Sequence, residues 1–374
     1  MPEPSIHSIL NASFPKSGKD QWLRVASQEL GEQNQIENLI WKIGELDFYP
    51  YYEEQDLRNL SYLKNHQVPH RQPHLHANAW KNLPKIKVAL EREANERALK
   101  YLTGGADGVL FDVTDCIDIN ISQLLDRITW PYCSVSFLTG ETNIATKILA
   151  YAEQNKYGPA ELRGSIFWSQ VPDGIKTPLL LLSSLRNFHV IGINIPPSSP
   201  VEEISRSLEQ GVRLLDTLTD LGMEKEIIFR AISLSFSAAE NFLINIAKLK
   251  VVRLLWYQLS QAFEIPNYAP DDLDIHVTSH KLNSGNFHPH GNMIKHTTDA
   301  LSAVLGGCNA LTLCADEDDS EMTNRIALNV SNILKEESHL DKVTHAVAGA
   351  YAVEDMVNQL AEASWKEFQK NIRS

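Results

Sequence analysis

Histidine is the side chain here best suited to hold a metal or move a proton near neutrality, and it is concentrated in two places. His66, His70, His74 and His76 lie within Asn65-His-Gln-Val-Pro-His-Arg-Gln-Pro-His-Leu-His76. A spacing of four aligns ligands on one helix face, but Pro69 and Pro73 interrupt any helix there, and no acid or cysteine within the run completes a coordination set. The run is therefore expected to be a polar loop and not a metal site. The second group, His276, His280, His288, His290 and His296, begins at the end of the apolar stretch Asp274–Ser279. In a barrel of parallel strands, functional side chains sit at strand C-termini and in the loops that follow, which puts His276 and His280 where a ligand would be met. The loop Lys281–Gly291, rich in Asn, Ser and Gly, is placed to close over one. The plainer alternative, histidines that only hydrogen-bond the loop, stays open. A basic set, Lys248, Lys250 and Arg253, lies on the amphipathic stretch Ala238–Gln261, whose ordinary role is packing and whose contact with a phosphate is a secondary reading.

The elements that must position these residues follow one pattern. Short β-branched stretches alternate with longer segments of helical period, as repeated βα units around a parallel sheet require. Eight strands are predicted: Ile86–Leu90, Gly108–Val113, Cys133–Leu138, Gly164–Trp168, Phe188–Ile195, Ile227–Leu234, Asp274–Ser279 and Asn309–Leu313. Helices are predicted between them at Glu91–Leu102, Asn143–Gln154, Glu202–Leu221, Ala238–Gln261, Met293–Leu305 and Met322–Glu336. This is the recipe for an α/β fold of the (β/α)8 TIM-type barrel class, here over residues 81–374. A weak internal repeat agrees: Ala98-Leu-x-x-Leu-x-Gly104-Gly105 before Gly108–Phe111 matches Ala300-Leu-x-x-Val-x-Gly306-Gly307 before Asn309–Leu313. These glycines end helices, whereas a phosphate-binding loop follows a strand and opens a helix, so they read as helix stops. Residues 1–80 form an N-terminal extension with one helix, Lys19–Leu30, and an acidic aromatic stretch, Gly44–Glu54. It is too small for its own core and is expected to wrap the barrel or reach a partner.

Composition narrows the function classes. The formal charge of −13 over 374 residues argues against a nucleic-acid partner, which needs a clustered basic face. No run of eighteen apolar residues predicts a membrane span, and the N-terminus lacks a secretory pattern, so a cytoplasmic location is the expectation. Four cysteines without a CxxC pair are expected as reduced thiols.

The C-terminal hundred residues carry a more specific signal. His276-Val-Thr-Ser279, Gly291-Asn-Met-Ile-Lys-His-Thr-Thr-Asp-Ala-Leu301, Gly306-Gly-Cys-Asn-Ala-Leu-Thr-Leu313 and Ile333-Leu-Lys-Glu-Glu-Ser-His-Leu340 run in order, and the series resembles the methylmalonyl-CoA mutase family. Asn241–Trp256 and Gly349-Ala-Tyr-Ala-Val-Glu354 extend the likeness. The resemblance implies a barrel that encloses an acyl-CoA and works with adenosylcobalamin carried on a separate C-terminal domain. It also shows departures. Ser165-Ile166-Phe167 stands where catalytic barrels of the family carry Thr-Ile-Gln, and Ile193-Asn194-Ile195 stands where they carry Gly-Tyr-His. The segment Pro172–Leu182 offers only Lys176 near the position of a carboxylate-binding arginine, Asn65–Trp80 lacks the family's Arg-x-x-Tyr loop, and His345-Ala346 replaces Asp-Pro. Asp274-Ile-His276-Val-Thr-Ser279 is one residue away from the Asp-x-His-x-x-Gly signature that supplies histidine to cobalt, but the surrounding sequence matches the end of the barrel instead.

The resemblance therefore implies a non-catalytic small subunit paired in a heterodimer with a large catalytic subunit that binds adenosylcobalamin. No cofactor or metal is expected on this chain, and none of its residues is assigned as catalytic. If a CoA site survives, Ser165, His276 and His280 are its candidates. Two alternatives accompany this reading: an acyl-CoA isomerase barrel served by a cobalamin domain on another chain, and a non-enzymatic binding module on a degenerate barrel.

Overall fold

The computed structural model describes residues 18–31, 35–57, 78–116, 118–280, 291–315, 320–343 and 345–373. A short hairpin comes first, β1 (Trp41–Ile43) and β2 (Leu46–Phe48), paired antiparallel through the two-residue turn Gly44-Glu45. Gly44 supplies the positive φ, 58°, that such a turn demands. Helix α1 (Lys19–Leu30) precedes it, as predicted.

The main sheet is entirely parallel and runs β3 (Lys81–Asn82), β11 (Ala310–Thr312), β10 (Asp274–Thr278), β9 (Ile232–Ser237), β8 (Asn187–Asn194), β7 (Arg163–Trp168), β6 (Ser134–Thr139), β5 (Gly108–Asp112) and β4 (Lys85–Lys87) in spatial order. Its two ends are consecutive in the chain. Leu83-Pro84 separates β3 from β4, and on either side of it the chain bonds opposite neighbours. Lys81 and Leu83 donate to the carbonyls of Asn309 and Leu311, while Leu110 donates to Pro84 and Val88 to Asp112. One broken first strand thus joins the eighth to the second, and the sheet closes as a (β/α)8 barrel.

Helices α2 (Glu91–Thr103), α3 (Ile121–Leu124), α4 (Asn143–Gln154), α5 (Lys176–Leu182), α6 (Pro200–Asp220), α7 (Lys225–Ala231), α8 (Phe242–Ala262), α9 (Gly291–Leu305) and α10 (Glu321–Glu336) lie between the strands. The core sits between them and the outer face of the sheet, where Phe111, Phe137, Ile166, Ile191, Ile193 and Leu234 are buried. A terminal helix, α11 (Tyr351–Arg373), packs across α6 and α8 and receives the hairpin: Gln359 donates to the Asp47 carbonyl at 3.0 Å, and Phe48 is buried. Among the described residues no helix is long and apolar enough to cross a membrane.

Local signals account for most boundaries. Ser199 accepts from the Glu202 amide and Pro200 opens α6, so that helix starts ahead of the predicted Glu202. The Asn241 side chain accepts from the amides of Leu243 and Ile244, so α8 starts later than the predicted Ala238. The Gly-Gly pairs end helices as expected. Gly105 and Gly307 have φ of 96° and 86°, and the amides of Ala106 and Cys308 return to the carbonyls of Tyr101 and Ala303. One strand is corrected. Ile227–Ala231 is helical and the sixth barrel strand begins at Ile232. Ile228 and Phe229 are buried on one side of this helix while Ile227 is exposed, and Glu226 bonds Arg230 one turn on at 3.1 Å. The first strand also starts five residues before the predicted Ile86, hidden by its lysines and Pro84.

Candidate functional site

Register and alternation decide which side chains reach the barrel axis. In β9 the inward positions are Ser233, Ser235 and Ser237; in β10 they are Asp274, His276 and Thr278; in β11, Ala310 and Thr312. His189, Gly192 and Asn194 of β8, Phe167 and Ser165 of β7, Leu138, Ser136 and Ser134 of β6, and Leu110 of β5 continue the lining. Barrel interiors are ordinarily filled by bulky branched residues. This one is lined largely with hydroxyls.

His276 sits at its centre, 1% exposed, with both ring nitrogens engaged: Nδ1 lies 2.9 Å from Ser235 Oγ and Nε2 lies 2.8 Å from Thr312 Oγ1. Thr312 Oγ1 also donates to the Leu83 carbonyl at 2.6 Å, which uses its one proton. Nε2 must then carry the hydrogen, and Nδ1 accepts from Ser235. Burial holds the His276 pKa down at about 4, opposed by the Asp274 carboxylate, so the ring is neutral near pH 7 and the proton order is fixed as Ser235 to His276 to Thr312 to Leu83. The ring of Phe167 covers this histidine with centroids 4.9 Å apart.

Below, toward the strand N-termini, Asp274 lies 3.5 Å from Lys81 Nζ and 4.0 Å from His189 Nδ1. Its own burial opposes ionisation, but Lys81 and both histidines outweigh it and hold the carboxyl pKa at about 2. Burial pushes His189 below its usual value. Above, toward the mouth, Lys85 lies 3.7 Å from Asp112 and Lys87 lies 2.8 Å from Asp115. The lysines of the first strand are thus each matched to a carboxylate.

Of the residues singled out in the sequence, Ser165 is buried on β7, its amide donating to Ser136 Oγ at 3.1 Å. His280 follows β10, and its amide donates to Asp299 Oδ2 at 3.2 Å. Among the described residues no hydrogen bond joins Ser165, His276 and His280 to one another. His66, His70, His74, His76, His288, His290 and the loop after His280 lie outside the described residues. Among the described residues no group of three potential ligands could hold a metal. His276 does not fit a cobalt: both of its nitrogens are spent inside the barrel. The basic residues of α8 are also spent. Lys248 bonds Glu203 at 2.7 Å, Lys250 bonds Glu354 at 2.8 Å, and Arg253 donates to the carbonyls of Pro270, Leu273 and Gly307, which settles on packing for that helix. None of the four cysteines is joined in a disulfide.

Sequence reasoning passes over Ser235, Thr312 and His189, and takes Asp274 only as part of the cobalt signature. The signal available was Ser233-x-Ser235-x-Ser237, a hydroxyl at every inward position of a strand otherwise apolar.

Fold and axis together define an α/β barrel with a polar interior. Residues 188–373 match the family model described as methylmalonyl-CoA mutase. The methylmalonyl-CoA mutase small subunit of Porphyromonas gingivalis is 27% identical over 395 aligned residues, covering 96% of this chain and 63% of that protein. The small subunit of Streptomyces virginiae is 31% identical over 47% of this chain and 29% of its own length. The C-terminal half of the chain matches the methylmalonyl-CoA mutase family, and the chain spans less than two thirds of the length of these curated relatives. Yersinia pestis dihydropteroate synthase in complex with a sulfonamide drug aligns with a TM-score of 0.39 and 13% identity over 70% of this chain and 94% of that one. That likeness carries no functional argument.

Proposed function

We propose that this barrel serves as the small, structural subunit of a methylmalonyl-CoA mutase assembly, with the chemistry and the adenosylcobalamin on a large partner chain. One observation carries the reading: at the level where a reacting acyl group would lie, the apolar ring of Phe167 packs on a fully engaged, neutral His276. A substrate carboxylate left without a cation in such an interior is strongly disfavoured, and the lysines nearest the mouth already face carboxylates. The names of the relatives support the pairing with a larger subunit.

Co-expression with a full-length catalytic mutase subunit from the same organism tests this. The expected outcome is a one-to-one complex by light scattering whose cobalamin-dependent isomerisation survives Ser165→Ala and His276→Gln. Separate elution, with the catalytic subunit indifferent to this chain, overturns it. The hydroxyl-lined axis favours one second reading, an acyl-CoA isomerase barrel served by a separate cobalamin domain; saturable binding of a CoA thioester by this chain alone would support it.

A further inference from the structure

Three polar atoms on the lower half of the axis lack the partner their burial demands. Ser134 Oγ and Ser233 Oγ belong to residues 4% and 0% exposed, and neither hydroxyl has a hydrogen-bond partner among the described residues. His189 Nδ1 is in the same state. Asp274 Oδ2 lies 4.0 Å from it, too far for a direct hydrogen bond and within the span of one bridging water.

Space accompanies the need. Between this group and His276, the register and stagger of the barrel place Ser165, Ser233 and Ala310 at one level. A barrel of eight strands is just wide enough to be filled by bulky side chains, and three small ones at one level leave room for water on its axis. Buried hydroxyls facing an unfilled polar space ordinarily bind ordered water.

We propose that the lower axis is a hydrated chamber, its waters bonded to Ser134, Ser233, His189 and Asp274, sealed above by the Phe167–His276 ring pair. An ion is disfavoured as occupant. Lys81 and Asp274 already neutralise each other there, and a hydroxyl serves water equally as donor and acceptor. Exchange with bulk solvent runs through the strand N-termini, where the Lys81 side chain is 34% exposed, and not through the mouth.

A high-resolution crystal structure of the full chain decides the matter, paired with thermal melts and ¹⁷O magnetic relaxation dispersion, which detects long-lived internal water. Expected are water densities within hydrogen-bond distance of Ser134 Oγ and Ser233 Oγ. Ser233→Ala and Ser134→Ala are expected each to lose the corresponding water and lower the Tm, and Phe167→Ala to shorten the internal-water residence time. A dry axis, in which both alanine variants raise the Tm by deleting an orphaned hydroxyl, overturns the proposal. So does density for an organic ligand at the same atoms.

Discussion

Two buried polar systems lie on opposite sides of the same sheet. Outside it, in the helical layer, Lys248 and Glu203 form an ion pair at 2.7 Å with side chains 0% and 6% exposed, and the ammonium also donates to the Ser237 carbonyl. Inside it, the Ser235–His276–Thr312 chain carries no net charge and is satisfied entirely by neutral groups. The ion pair tolerates burial only because each charge has the other. The neutral chain tolerates it because every proton has an acceptor, so it can be disturbed without stranding a charge.

Removing half of the ion pair is the sharpest break. Lys248→Ala strands the Glu203 carboxylate and is expected to cost about 3–5 kcal/mol in urea unfolding, with Lys248→Met/Glu203→Leu recovering most of it. A double variant no better than the single would show that packing, not charge, dominates there.

On the neutral side the lever is pH. Folding lowers the His276 pKa from 6.5 to about 4, so between those values the unfolded chain takes up a proton that the folded chain refuses. Stability should therefore be level above about pH 6.5 and fall as pH drops toward about 4, with His189 adding in the same direction. His276→Gln should flatten that fall in urea midpoints taken at about pH 7 and about pH 5; an unchanged slope would assign it to other groups.

Two further ion pairs grade the effect of depth. Lys250 is 13% exposed and bonds Glu354, which also accepts from the Gly349 amide, so Lys250→Ala is expected to cost about 1–3 kcal/mol by the same assay. Lys42, 64% exposed beside Asp47 on the hairpin, is the control, and its alanine variant should stay within about 1 kcal/mol of the parent. Equal costs at the two positions would remove burial as the explanation.

Legibility in the sequence follows the same division. The outer shell is readable because its apolar periods and caps are local, and six of the eight predicted strands overlap the observed ones closely. One of the two exceptions, Ile227–Ala231, is an apolar run whose period is too short to separate helix from strand. The broken first strand was misplaced because lysines and a proline replace the apolar signal. The axis was not readable as a site. Ser235 and Thr312 lie 41 and 36 residues from His276, and only barrel closure brings their hydroxyls to its two nitrogens. His276 was selected for its place at a strand end, whereas its partners fix it as part of the interior.

The broken first strand also gives the barrel a clasp. A hoop is no stronger than its fastening, and here the fastening is a strand interrupted by Pro84, a residue with no amide hydrogen to contribute. Breathing of the ring should therefore begin at this clasp, and the amides of Lys81, Leu83 and Leu110 should exchange with deuterium sooner than those on β8 and β9 across the hoop.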